Sequence, residues 1–311
     1  MVQSTETILV LDIGGSAVKY GFWTAQKLED QDQFPTPLTR NKFYQTVADI
    51  CAAHEPITGI AVSCPGEPDE DTGIVHGMSY VPFLHLGEFQ HDFVAQLNRP
   101  VSLQNDAESA ALAEMTLGVG QNHQNALFTI IGSGIGLAIV QDGLILKNLA
   151  EKFDNPEKRF ADTLKTLNNS KVSPVQIGKT VSLKNFKLPN TIDGKTVFEL
   201  AKQGDPIASQ EVDQMYASLA EILIFLNAAY QPEIIGIGGG ISNSPDLLPE
   251  LKTHIETLLT APDSRINFYK RFYSNPEQAF KQPNLQICHF KNDANLVGAA
   301  LHYEQHFETV N

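Results

Sequence analysis

Cysteine is scarce: the 311 residues hold three, Cys51, Cys64 and Cys288. An odd count at wide spacing excludes a disulfide framework and fits a reducing compartment. Positive charge is short as well. Lys and Arg number 22 against 36 Asp and Glu, a net charge of −14 at pH 7. Such a field repels nucleic acid and anionic membrane, so neither is expected as a partner. A phosphorylated ligand, which needs only local donors, is not excluded. Long apolar runs are missing. The richest stretch, near 214–230, carries Ser218, Glu221 and Asn227 and reads as a buried core helix, not a membrane span. Residues 1–6 are short and polar and the first strand follows at once, which leaves no room for a signal peptide. The expected location is the cytoplasm. The phosphate-binding signature GxxxxGK[ST] is absent.

The length exceeds what one hydrophobic core of roughly 250–300 residues accommodates, so two domains are expected. The pattern agrees. "ILVLDIGGSAVKYGFW" (8–23) is an apolar strand, a glycine turn and a second strand, and "ALFTIIGSGIGLAIVQDG" (126–143) repeats that plan. An internal repeat of this kind implies two similar α/β domains. After the first hairpin comes a polar stretch with Pro35 and Pro37, then a helix over 40–54. "ITGIAVSCPG" reads as a buried strand ending in a Pro-Gly turn, and "EPDEDTG" as a charged, solvated loop. A helix near 88–98, the strand "PVSLQ" and a helix from 106 closed by Gly118 complete the first half. A long helix near 206–230, the strand "EIIGIGG", a helix from about 245 and an amphipathic C-terminal helix follow. The boundary falls in "GVGQNHQN" (118–125). The domains expected are therefore 1–117, joined by the returning helix 291–311, and 118–290.

Three glycine loops each follow a strongly apolar strand: Gly14-Gly15-Ser16, Gly132-Ser133-Gly134 with Gly136, and Gly238-Gly239-Gly240. One such loop is an ordinary turn, since glycine tolerates positive φ. Three together suit backbone N–H groups closing on phosphate oxygens without a Cβ in the way. At the first two loops strands run into strands, which excludes a dinucleotide-binding unit. Asp12 precedes the first loop. It is either a turn residue bonding the next amides or a carboxylate facing metal-bound phosphates, where magnesium keeps several waters and needs few protein ligands. Lys19 is a surface lysine or a point charge beside phosphate. Asn105-Asp106, between strand and helix, supplies an N-cap. It also offers a carboxylate to orient an alcohol and accept its proton in phosphoryl transfer, a role needing no unusual pKa. In "SYVPFLHLGEF", Tyr80, Phe83, His85 and Phe89 either stack on a ligand or pack in the core.

Taken in order, "LDIGGSAVKYG", "AVSCPGEPDEDTG", "QNDAESAALAE", "IGSGIG", "IGIGGGIS" and "NDANLVGAAL" resemble the ROK family (repressor, ORF, kinase) across nearly the whole chain. The resemblance implies an actin-like, hexokinase-like ATPase fold, with two similar α/β domains around a cleft. It implies a magnesium- and ATP-dependent sugar kinase that is a homodimer. It assigns Asp106 as catalytic base, Asn105 to sugar hydroxyls, Gly66 to the sugar pocket, 12–19 and 132–136 to the phosphates, and 238–241 to the adenosine side. No helix-turn-helix segment precedes Ile8, which points to a kinase-type member. The chain also departs from the family. It has no Glu-x-Gly-His motif and no Cys-x-Cys-Gly-x-x-Gly-Cys zinc motif: no histidine lies between His123 and His254, and no cysteine between Cys64 and Cys288. No structural zinc of the family type is expected. The nearest remnant of the sugar-binding motif is Glu151, which is equally an exposed helix glutamate among Lys147, Lys152 and Lys158. The missing ligands keep open a second reading, a non-catalytic sugar or nucleotide sensor on the same fold.

Overall fold

The computed structural model describes residues 6–132, 135–147 and 172–307. The chain divides into two compact units, Met1–Gln121 with Asn292–Asn311, and Asn122–Lys291.

The first unit is built on a five-stranded sheet of order β3-β2-β1-β4-β7. β1 (Thr7–Ile13), β2 (Ala17–Thr24) and β3 (Lys27–Pro35) form an antiparallel meander; β4 (Gly59–Cys64) and β7 (Val101–Asn105) run parallel to β1. Alternation along β1 sorts its side chains by face. Leu9, Leu11 and Ile13 join Ile60, Val62 and Leu103 in a core with Phe43, Tyr44 and Val47 of α1 (Arg40–Ala53) and Phe89 and Phe93 of α2 (Phe89–Leu97). The other face is covered by α3 (Asp106–Leu117) and the C-terminal helix, which packs on β1, β4 and β7.

β3 is a strand within the polar stretch read after the first hairpin, where no strand was expected. Its pattern, "KLEDQDQFP", is mostly exposed because it is an edge strand, so backbone pairing to β2 and not burial defines it. "EPDEDTG" is a correction. It forms a hairpin of β5 (Glu67–Asp69) and β6 (Ile74–His76), and its Glu70 turns inward.

The second unit repeats the plan. β10 (Leu144–Ile145), β9 (Ile135–Gln141), β8 (Ala126–Ile131), β11 (Ile234–Gly238) and β12 (Leu285–Ile287) lie side by side in that order. β8 is antiparallel to β9 and parallel to β11, as β1 is to β2 and β4. Its helices include α4 (Pro174–Lys184), α5 (Gly194–Lys202), α6 (Pro206–Tyr230) and α7 (Leu247–Thr260). Short helices α8 (Arg265–Lys270) and α9 (Pro276–Ala279) precede β12, and α10 (Ala294–Phe307) closes the chain. α6 is capped by Asp205, which accepts the Ala208 N–H, and buries Met215, Leu219, Leu223 and Ile224. Among the described residues no helix is long and apolar enough to cross a membrane.

α10 is less amphipathic than its sequence suggests. Leu296 to Leu301 are all buried, because the helix is sandwiched between α3 and the sheet. Gly298 permits this: a Cβ there would collide with the Ser109 carbonyl of α3. Facing alanines on both helices, Ala110, Ala111, Ala113, Ala299 and Ala300, are fully buried.

Candidate functional site

β1, β4 and β7 are adjacent parallel strands, and their carboxyl ends gather the first unit's candidate residues. The register sets Asp12 beside Ser63, and Cys64 beside Asn105. Ligand sites of open α/β sheets form at such strand ends.

Asn105 caps α3. Its side-chain oxygen accepts the N–H groups of Ala107 at 2.9 Å and Glu108 at 3.2 Å. Its amide donates to the Gly66 carbonyl at 2.8 Å, which ties the loop after β4 to the end of β7. The capping role is thus filled by Asn105, and the amide's second hydrogen is the donor it can offer a ligand. Gly66 has φ +101°, and a Cβ there would meet the His76 carbonyl at 2.7 Å and the His85 ring at 2.9 Å. Only glycine fits that turn.

Asp106 begins α3 and accepts the Ala107 N–H at 2.8 Å. Burial, reinforced by the charge of Asp12, pushes its carboxyl up to about 6. This revises the expectation of an unperturbed aspartate: the strand ends bring two carboxylates together, and like charges resist joint ionisation. Asp12 is also raised, by burial, against the opposing effects of Asn295 and Lys19. The Asn295 amide donates to Asp12 Oδ1 at 3.0 Å, and Lys19 Nζ lies 4.0 Å from Oδ2. Cys64, fully buried between the two carboxylates, has its thiol pushed far up by burial and by both charges, so it is inert as a nucleophile.

The first glycine loop closes tightly. Gly14 N–H donates to the Ala17 carbonyl at 3.0 Å, and Thr36 bonds Gly14 and Ser16 from the side, its hydroxyl to one carbonyl at 2.6 Å and its N–H to the other at 3.1 Å. Neither Gly14 nor Gly15 has positive φ, so the conformational reason given above does not apply. Space is the reason. A Cβ on Gly14 would stand 2.9 Å from the Ala17 carbonyl, and one on Gly15 2.8 Å from Tyr80 Cβ.

In the second unit, Gly132 and Gly136 flank the β8–β9 turn, and Gly239 and Gly240 follow β11, whose last residue, Gly238, pairs with Ile130. The two loops therefore share one end of the sheet. Gly239 has φ +81° and lies against the Ile131 backbone, while Gly132 and Gly240 border open space. The chain then makes a single turn, Gly240–Asn243, before α7. Ser133, Gly134 and Glu151 lie outside the described residues.

The aromatic segment splits. Phe83 and Phe89 are core, packed on Phe43. His85 spends both ring nitrogens, on the Val75 carbonyl at 3.0 Å and Ser79 Oγ at 2.8 Å. Tyr80 alone of the four is exposed, at 76%. Asn295 escaped the sequence reading. The Asn-Asp-Ala echo between "QNDAESAA" and "KNDANLVGAA" falls on Asn292 and Asp293 and does not single out Asn295.

A profile of the ROK family matches residues 8–148 and 176–305. The chain is 27% identical to the "Beta-glucoside kinase" of Listeria innocua over 316 residues, covering 96% of this chain and 97% of that one. Its fold matches a ROK family protein from Streptococcus pneumoniae solved in complex with sucrose, with TM-score 0.74 and 24% identity over 97% of this chain and 99% of that one. It also matches a ROK family glucokinase from Streptomyces griseus solved with glucose and AMPPNP, with TM-score 0.72 and 19% identity over 96% and 99%. The duplicated sheet order, the glycine loops at its strand ends and the profile spanning both halves agree: this chain belongs to the ROK family.

Proposed function

We propose that this chain is an ATP-dependent sugar kinase that moves the γ-phosphoryl group to a sugar hydroxyl, with Asp106 as general base. The observation that carries the reading is the raised carboxyl of Asp106, the first residue of α3 directly after β7. A base works best with a pKa near the operating pH, and about 6 leaves it ionised in neutral solution and able to take a proton. A sensor has no need of such a group. The β-glucoside kinase relative, aligned over nearly the whole chain, supports the same class.

In this reading the sugar lies against Asn105 and the Gly66 loop, with Glu151 a further ligand. The 14–16 and 132–136 loops hold the phosphates, with Lys19, and 238–240 the nucleoside end. Asp12 is the residue suited to magnesium. A buried carboxylate next to a second one is a hard-oxygen donor whose charge a divalent cation would relieve. Magnesium, when bound, supplies charge neutralisation on the transferring phosphates. Asp12 orients, Asp106 accepts the hydroxyl proton, and Asn105 fixes the acceptor; domain closure would exclude water. The reading includes a cytoplasmic location, supported by three buried cysteines that form no disulfide, and a homodimer, supported by the family resemblance.

The test is product analysis. Hexoses, amino sugars and β-glucosides are incubated with Mg-ATP and screened by mass spectrometry. A sugar phosphate from at least one of them is expected; none from any, with sugar and nucleotide binding retained, would favour the sensor.

A further inference from the structure

Asn295 stands on the first turn of α10, 283 residues from the Asp12 carboxylate it bonds at 3.0 Å. Asp12 and Lys19 are register partners that flank the Gly14–Ser16 loop. The segment entering α10 takes hold of both, since Lys19 Nζ also donates to the Asn292 carbonyl at 3.2 Å. The Lys19 contact to Asp12 is long and the lysine is 40% exposed, so solvent screens it. The Asn295 bond is shorter and lies in the partly buried space between α10 and the sheet.

An amide does there what neither an apolar residue nor a second cation would. It offsets part of the cost of burying the carboxylate without neutralising it. It also fixes the carboxylate's rotation, because Oδ1 is held and Oδ2 is left turned to the Lys19 side. The support is rigid. α10 is locked to α3 at Gly298 and Ser109, to β2 through Trp23 Nε1 donating to Glu304 at 2.6 Å, and to Glu70 through His302 at 3.3 Å and His306 at 3.4 Å. A donor mounted on so constrained a helix holds its acceptor closely, as a preorganised site requires.

We propose that Asn295 is a positioning residue of the phosphoryl-transfer site: delivered by the C-terminal helix, its amide orients Asp12 toward magnesium-bound nucleotide. The inference rests on the kinase reading above and extends it to a residue that acts through Asp12.

The experiment compares wild type with Asn295→Leu, which keeps the size and removes the donor. Calorimetry measures ADP binding with and without magnesium, and thermal melts follow the fold. The expected result is a variant melting close to wild type, with Mg-ADP affinity down about tenfold or more and metal-free ADP affinity unchanged. Turnover falls by a similar factor while the sugar KM holds. Equal Mg-ADP affinity in the two proteins, or losses of the same size with and without magnesium, would overturn the proposal. If Asn295→Leu does not fold, Asn295→Ser, which admits water in place of the amide, is read the same way. A wild type that binds Mg-ADP but phosphorylates no sugar would sink the kinase reading, while the magnesium-dependent affinity difference would still decide the role of Asn295.

Discussion

Glu70 accepts the backbone N–H of Leu103 at 2.9 Å, three residues before Asp106. β7 is the edge of its sheet, so this N–H has no strand to pair with, and a carboxylate from the β5–β6 hairpin closes it. The same carboxylate meets Gln90 Nε2 at 3.5 Å and both histidines of α10. Three elements, β7, α2 and α10, thus converge on one side chain of the hairpin.

Glu70→Ala should therefore destabilise the protein by roughly 1–3 kcal/mol, the cost of stranding a buried donor. Burial pushes the Glu70 carboxyl up, but the bonds from His302 and Leu103 outweigh it and hold the group below its ordinary value. A depressed carboxylate stabilises the fold above its unfolded pKa and loses that contribution as the pH falls through the folded one. Urea melts of wild type and variant should differ most at neutral pH and less in acid, where the protonated carboxyl keeps only its neutral bond to Leu103. A gap that stays constant down to acid pH would show that the charge of Glu70 plays no part.

Asp106 gives the opposite linkage. Its carboxyl is raised to about 6, so its ionised form opposes folding above that pH and the penalty fades below it. Asp106→Asn should melt higher than wild type at neutral pH, with the difference vanishing in acid, while turnover is lost. Wild-type kcat/KM should fall tenfold per pH unit below about 6 as the base is protonated. A flat profile between pH 5 and 8, in a buffer series at constant ionic strength, would remove Asp106 from proton transfer.

Gly239→Ala tests the third loop. The residue has φ +81°, and a Cβ would strike the Ile131 backbone, which cannot swing aside as a side chain would. A loss of more than about 2 kcal/mol in chemical denaturation is expected. Gly132→Ala meets open space and should leave stability within about 0.5 kcal/mol. Equal losses at the two positions would mean that steric room is not what selects glycine there.

Both hairpins were legible in the sequence because β1 and β8 are buried runs broken by glycine, and the capped helices were legible from their polar starts. β3 was not, since an exposed edge strand has no apolar alternation to read. Glu70 was hidden for a related reason. In "EPDEDTG" one acid among four turns inward to bond the β7 backbone, and only the fold of the hairpin says which. Asp106 and Asn105 were visible as a cap pair between strand and helix. The raised pKa was not, because it depends first on burial in the fold and then on the charge of Asp12, brought alongside by parallel pairing through β4. Asn295 was unreadable as a partner of Asp12 because the two ends of the chain had to meet first.

The most direct test of the account is a coupled ADP-release assay with Mg-ATP over a panel of hexoses, amino sugars and β-glucosides, run beside Asp106→Ala. The account predicts sugar-dependent release from wild type and its loss in the variant, with nucleotide binding intact. Release that persists in Asp106→Ala, or none from wild type with any sugar, would contradict it.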